Sequence, residues 1–369
     1  MAVASGVEMI GGCTTSETPK VTTVVYPPLP YNKIQPPQEG CLVGFFIEPE
    51  DSLRMKDSRF IPQGSKEIEA IRRSKSFDEF RETLQKGRSG KIYQVSNEVT
   101  YVEKALNARP FIYSLPWAKL YLEFPVNQCM VLARFGIVPF VYGGIGPFDL
   151  DIQVPGFGPK EIAQGKQDGN IKRFAQGAAE FGRRYGGFFF TTMDEMNGNW
   201  FSWGKNPNFI PAWRHIWEIF EDQGANKYVT WVWDPYCPEG VAAYADNPKL
   251  YYPGDKYVDW IGLCAISVAE KPTMNYALNV LISQTYRQLL KEHPQKPFVI
   301  TSFGRTNERL QSRWLINAYS SIRNSFPAIK GVIYFHTTWW GTGDHTLNQE
   351  GLQTLQNIFK DPYWIMGRK

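Results

Sequence analysis

Gly187–Trp200 reads GFFFTTMDEMNGNW, an apolar run that stops abruptly at two adjacent acids, two amides and a tryptophan. The run is continuous rather than alternating, the pattern of a strand buried on both faces in a parallel sheet covered by helices. Seven more runs of this kind follow the chain: CLVGFFI (41–47), PFIYSL (110–115), IVPFVY (137–142), YVTWVW (228–233), VDWIGLC (258–264), PFVITS (297–302) and GVIYFH (331–336). Helical stretches lie between them, with apolar positions three and four apart, as in SKEIEAIRRSKSFDEFRETLQK, PAWRHIWEIFEDQG and NYALNVLISQTYRQLLKEHP. Eight strands alternating with helices predict a single (β/α)8 TIM barrel. More than sixty residues separate the first two runs, enough for extra helix there.

Composition narrows the function. The 369 residues are 43% hydrophobic and 15% aromatic, enough for one large core. The net charge of +4 arises from 40 basic and 36 acidic residues interspersed along the chain, so no basic stripe suits nucleic acid. The stretches RRSK and KGRSGK read as solvated charge. No CxxC pair, metal-ligand spacing, phosphate loop or dinucleotide glycine fingerprint is present, so neither a metal nor a cofactor is expected. A monomer is expected.

The domain is predicted to span residues 40–369. Residues 1–39 read as a leader and a proline-rich tether, PPLPYNKIQPPQE, largely without fixed structure. Around Cys13 the sequence IGGCTTSETPK is similar to a bacterial lipid-attachment box, but MAVASGVEM lacks the usual apolar stretch. Two readings stay open: a plain leader, or a membrane tether through Cys13 on a secreted, cell-surface or periplasmic protein.

In such barrels chemistry sits on the carboxyl ends of the strands. The residues falling there include Glu48, Trp117, Gly143-Gly144, Asp194-Glu195, Asp234 and Thr337 to Trp340. Acids interleaved with aromatics suit sugar rings, whose apolar faces stack while their hydroxyls accept and donate hydrogen bonds.

At these positions the chain resembles glycoside hydrolase family 26, the retaining endo-β-mannanases and related β-glucanases. DEMNGNWFSWG is similar to the family's His-Glu-Met-Asn-Gly-x-Trp-x-x-Trp motif. WRHIWEIFEDQGANKYVTWVWDP and YYPGDKYVDWIGL match two further blocks in register; the three lie between residues 194 and 263, and by order and spacing the resemblance reaches over roughly residues 40 to 340. The resemblance implies a polysaccharide or oligosaccharide substrate, with Glu195 as general acid/base. It implies that Asn197 bonds a sugar 2-hydroxyl or orients the acid, that Trp200 and Trp203 are stacking platforms, and that Trp233 lines the mouth. His336 is expected either to meet a sugar hydroxyl or to be a satisfied strand-end histidine, and Trp339 and Trp340 to lie on a loop over the mouth.

The pattern departs at the nucleophile. Where the family has Ala-Glu-Phe-Gly, this chain has Thr301-Ser302-Phe303-Gly304, and a serine cannot replace the second carboxylate of retaining hydrolysis. The residue before the acid is Asp194 instead of histidine, and the sixth-strand Asp-Gly-Tyr reads Cys264-Ala265-Ile266. A mannanase whose nucleophile was replaced by design would keep those neighbours, so natural divergence is favoured. The open alternatives are an inverting enzyme using Asp234, Glu48 or Asp194 as base, and a catalytically inactive carbohydrate-binding barrel. In each, Glu195 and Ser302 are expected to face one another across the mouth.

Overall fold

The computed structural model describes residues 26–47, 95–145, 156–240, 244–269, 271, 275–339 and 343–368. Cys13, Glu48, Trp340 and the expected helix over 65–86 lie outside the described residues.

Eight parallel strands close a barrel: β1 (Cys41–Ile47), β2 (Ile112–Lys119), β3 (Val138–Gly144), β4 (Phe188–Thr192), β5 (Val229–Trp233), β6 (Trp260–Ser267), β7 (Phe298–Arg305) and β8 (Ile329–His336). Closure is made by β1 against β8, in register from Leu42↔Gly331 to Ile47↔His336. Late in the chain come a small hairpin of β9 (Thr338–Trp339) and β10 (Gly343–Asp344), then β11 (Trp364–Ile365), which pairs with the start of β1 where β2 does not reach.

Helices cover the outside: α1 (Val95–Leu106), α2 (Val126–Arg134), α3 (Pro159–Ala163), α4 (Asp168–Tyr185), α5 (Phe209–Asp222), α6 (Leu278–Glu292), α7 (Gln311–Ser325) and α8 (Gln349–Ile358). Both strand faces are consumed, which is why the runs are apolar throughout. Phe46, Phe140, Phe189, Val232, Trp260 and Ile333 belong to one buried cluster inside the barrel. The intervening residues, such as Phe190, Trp231 and Leu263, pack with Phe174, Trp213 and Phe220 of the helices.

The sequence reading ended β2, β3, β6 and β7 at 115, 142, 264 and 302. In the structure they run on to Lys119, Gly144, Ser267 and Arg305, because the ladder pairing continues to the mouth past the residues read as strand.

The proline-rich segment requires a correction. From Tyr26 to Gln38 it lies across the amino-terminal end of the barrel instead of forming a loose tether. The Ile34 amide donates to Thr230 Oγ1 at 2.7 Å, and the Asn32 amide to the Lys227 carbonyl at 3.1 Å. Lys33 pairs with Asp259 at 2.7 Å, and Leu29 and Ile34 pack on the interior cluster. Gly187 makes room for this crossing, since a Cβ there would lie 2.1 Å from the Asn32 carbonyl oxygen. Proline forbids helix and ladder, but it does not stop an extended chain from satisfying its few amides on strand ends. Deleting residues 26–39 is expected to lower stability by on the order of 3 kcal/mol, from the apolar area of Leu29 and Ile34 returned to water and the lost bonds. Denaturant unfolding of the shortened chain checks this; an unchanged midpoint would make the segment a passive tether after all.

Candidate active site

The loop after β4 carries the acids and is held in an unusual backbone shape. Met193 and Glu195 have φ of 49° and 52°, left-handed conformations that L residues adopt only when their surroundings enforce them. The enforcement is visible on both sides of Asp194. The Glu195 amide donates to the Asp234 carbonyl at 2.7 Å, and Trp203 Nε1 donates to the Asp194 carbonyl at 2.8 Å.

Glu195 reaches the carboxyl end of the barrel, and both its oxygens accept hydrogen bonds. Trp200 Nε1 donates to Oε2 and the Cys264 thiol donates to Oε1, at 2.5 and 2.7 Å. Burial pushes its carboxyl up from the ordinary glutamate value, against the lowering effect of those two donors. Burial pushes the Cys264 thiol up as well, which keeps its proton available for donation.

Two further carboxyls share the mouth. Asp194 is half-buried, and burial, reinforced by the charge of Glu195, pushes it up to about 7, with Lys119 pulling the other way. Asp234, 2% exposed, follows β5 and forms the floor; burial pushes it well above the usual carboxylate range. Thr301 donates to its Oδ1 at 2.6 Å, and the Tyr142 hydroxyl is a second donor to the same carboxyl.

Ser302 lies at the same end. Its Cα pairs with that of Cys264, whose thiol touches Glu195. Between the pairs Leu263↔Ile300 and Cys264↔Ser302 the register of β7 gains one residue, Thr301, a bulge of the kind that re-aims side chains near active sites. Thr301 and Ser302 consequently serve the mouth from consecutive positions.

Other expected contacts go elsewhere. Asn197 is fully buried and its amide group is spent on backbone: Nδ2 donates to the carbonyls of Tyr236 and Asp246, and Oδ1 accepts from the Tyr236 amide, each at 2.9 Å. It staples the acid loop to the loop after β5 instead of bonding a sugar hydroxyl. Trp203 is 1% exposed and stacks on Phe201 with centroids 4.5 Å apart, so its ring is core and not a platform. Trp233 is likewise buried, facing outward against Tyr252. His336 points to the helix layer, its Nδ1 accepting from the Leu347 amide at 3.1 Å, which is the satisfied strand-end arrangement. Trp339 contributes backbone to the β9–β10 hairpin. Trp200 does reach the mouth, half-buried, with its ring over Gly198 and edge-on to Tyr236.

Sequence reasoning missed Lys119, Tyr142 and Thr301. Lys119 escaped because β2 was ended four residues early; its Nζ packs at Gly144, where a Cβ would come within 2.8 Å. Tyr142 was counted as core although it sits two residues before Gly144, on the inward-facing alternation of β3.

The family model described as glycosyl hydrolase family 26 matches residues 163–368. Endoglucanase H of Acetivibrio thermocellus is 28% identical over 188 residues, 48% of this chain and 20% of that protein. Mannan endo-1,4-beta-mannosidase A and B of Caldalkalibacillus mannanilyticus is 25% identical over 208 residues, 54% of this chain and 36% of that one. The chain thus spans about a fifth to a third of the length of these curated relatives. Among solved structures, the family 26 domain of a Prevotella bryantii endo-β-mannanase/endo-β-glucanase superimposes with a TM-score of 0.55 at 12% identity, over 89% of this chain and 91% of that one. A β-mannanase from a symbiotic protist of the termite Reticulitermes speratus, complexed with gluco-manno-oligosaccharide, gives 0.56 at 11% identity, covering 89% of each chain. At such identities these two likenesses speak for the barrel alone.

Proposed function

Because the chain belongs to glycosyl hydrolase family 26, we propose that it hydrolyses a β-linked mannan or β-glucan, with Glu195 donating a proton to the glycosidic oxygen. The observation that carries this reading is the clamp on Glu195. A carboxyl at the barrel mouth, raised by burial against the lowering effect of its two donors, is held in one orientation through both oxygens by Trp200 and Cys264, as a proton donor requires. The names of the relatives, an endoglucanase and a mannan endo-1,4-beta-mannosidase, support the substrate class. A polysaccharide substrate is met outside the cell, so the reading includes export, by a plain leader or with a tether through Cys13.

Product analysis on mannans, mixed-linkage glucans and xylans tests it. Soluble oligosaccharides from mannan or β-glucan are expected. Retention of the protein on a polysaccharide without products would favour a second reading, an inactive binding barrel, for which the serine at 302 speaks.

Ser302→Glu is expected to raise turnover by no more than about tenfold. The new carboxylate joins Asp194, Glu195 and Asp234 in one mouth, and Ile266 offers no hydroxyl to hold it in an attacking position. Steady-state rates on the best substrate of the panel check this. A gain of a hundredfold or more would show that the carboxylate alone was missing.

A further inference from the structure

We propose that Tyr236 is a positioning residue for the acid: through its backbone and its ring it ties both donors to Glu195, Cys264 and Trp200, to one fixed point of the loop after β5. This rests on the hydrolase reading above and adds what aims the proton.

The fixed point is built from backbone bonds. One side chain holds Tyr236 from both sides, since its amide donates to Asn197 Oδ1 and its carbonyl accepts from Asn197 Nδ2, each at 2.9 Å. The residues flanking it are bonded to β6. The Cys264 amide donates to the Pro235 carbonyl at 3.1 Å, and the Cys237 amide to the Cys264 carbonyl at 3.0 Å. Tyr236 and Cys264 are thereby paired as in a parallel ladder. Paired residues present their side chains to one face, and the ring of Tyr236 shares a buried cluster with Cys264, Ala245 and Trp200.

The ring seats the second donor. Its centroid lies 4.9 Å from that of Trp200 with 79° between the planes, an edge-to-face contact. Among the described residues no other aromatic ring touches Trp200. Gly198 closes the opposite side. A Cβ there would lie 2.4, 2.5 and 2.6 Å from Trp200 Cζ2, Cη2 and Cε2, so the indole rests directly on backbone. Held between Gly198 and Tyr236, it directs Nε1 at Glu195 Oε2.

Both donors therefore depend on one residue, Cys264 through the backbone and Trp200 through the ring. The backbone of the acid is referred to the same stretch, because the Glu195 amide donates to the Asp234 carbonyl at 2.7 Å, two residues before Tyr236. Glu195 needs this support. Its φ of 52° persists only while its surroundings enforce it, and a catalytic group must be held within about 0.5 Å of its productive place.

The test compares Tyr236→Leu, which removes the ring edge and keeps the backbone bonds, with the parent, each rate taken per folded molecule. On mannan or β-glucan kcat is expected to fall about 10- to 100-fold with KM within about threefold, the loss that a small misplacement causes. A 2,4-dinitrophenyl β-glycoside, whose leaving group needs no proton, should lose no more than about threefold. The basic limb of kcat/KM should move to higher pH, because a carboxylate that loses the Trp200 donor holds its proton more tightly. Tyr142, Asp194, Asp234, Cys237 and Cys264 also feel the charge of Glu195, as Lys119 acts on Asp194, and all stay unchanged in this comparison. Burial raises the Tyr236 hydroxyl above the ordinary tyrosine value, so the parent has no charge there to lose. Tyr236→Phe keeps the ring edge and should return the rate to within about threefold of the parent. Equal losses on both classes of substrate would overturn the proposal, and so would a phenylalanine variant as slow as the leucine one. Should Tyr236→Leu fail to fold, Gly198→Ala disturbs the same seat from the other side and should give the same pattern; a parental rate on polysaccharide would count against the assignment. No product from the parent on any β-glycan would overturn the hydrolase reading along with it, whereas an active parent with indifferent variants overturns this proposal alone.

Discussion

Glu195→Gln is expected to lower kcat/KM on polysaccharide by about 10²- to 10⁴-fold. Two physical causes add. The amide has no proton to give to the leaving oxygen. It also places an NH2 group where one of two donors now points, since Trp200 Nε1 and the Cys264 thiol occupy both carboxyl oxygens. Substrates whose leaving group needs no protonation should be spared. A 2,4-dinitrophenyl β-glycoside should therefore lose far less rate than mannan or β-glucan. The basic limb of the pH profile, set in the parent by loss of the Glu195 proton, should vanish in the variant. Burial raises that carboxyl, so in the parent the limb lies on the alkaline side of an ordinary glutamate's titration. An equal loss on both classes of substrate would remove Glu195 from the role of proton donor.

The barrel was legible because its signal is local. Eight apolar runs separated by amphipathic helices leave little else to build; the strand ends pointed to Glu195 and Asp234, and the family resemblance to Ser302. What failed to show was the destination of side chains whose partners are distant in the chain. Asn197 is read correctly only once Tyr236 and Asp246 are known to lie beside it, 39 and 49 residues on. Gly262 looks like any strand glycine until the carboxyl of Asp234 is seen to cross it. The segment from Tyr26 to Gln38 has the composition of a linker, and its partners Thr230, Asp259 and Ala328 are each about two hundred residues or more away. Composition reports what a segment cannot form internally. It is silent on which strand ends will accept its amides.

Trp203→Ala is where these two levels of reading give opposite forecasts. A stacking platform, as the motif alone implies, would lose oligosaccharide affinity by about 1–3 kcal/mol while the variant stayed fully folded. The structure forecasts a stability defect instead. The ring is 1% exposed, lies parallel to Phe201, and its removal leaves a cavity that the neighbours can fill only in part. Truncating a buried tryptophan in this way costs about 3–5 kcal/mol. The indole N–H also restrains the Asp194 carbonyl, between two residues held at positive φ. Each such conformation costs about 1–3 kcal/mol and persists only while its surroundings enforce it. Releasing one restraint should let the loop relax and carry Glu195 out of line, so kcat should fall together with the melting temperature. Trp203→Phe separates the two contributions, since it keeps most of the apolar volume and loses the N–H. It should recover most of the stability and little of the rate. Calorimetric unfolding and initial rates on the same three proteins check this. Full stability of the alanine variant with weakened sugar binding would place the ring in the cleft, whereas loss of stability with unchanged affinity in the folded fraction would place it in the wall that aims the acid.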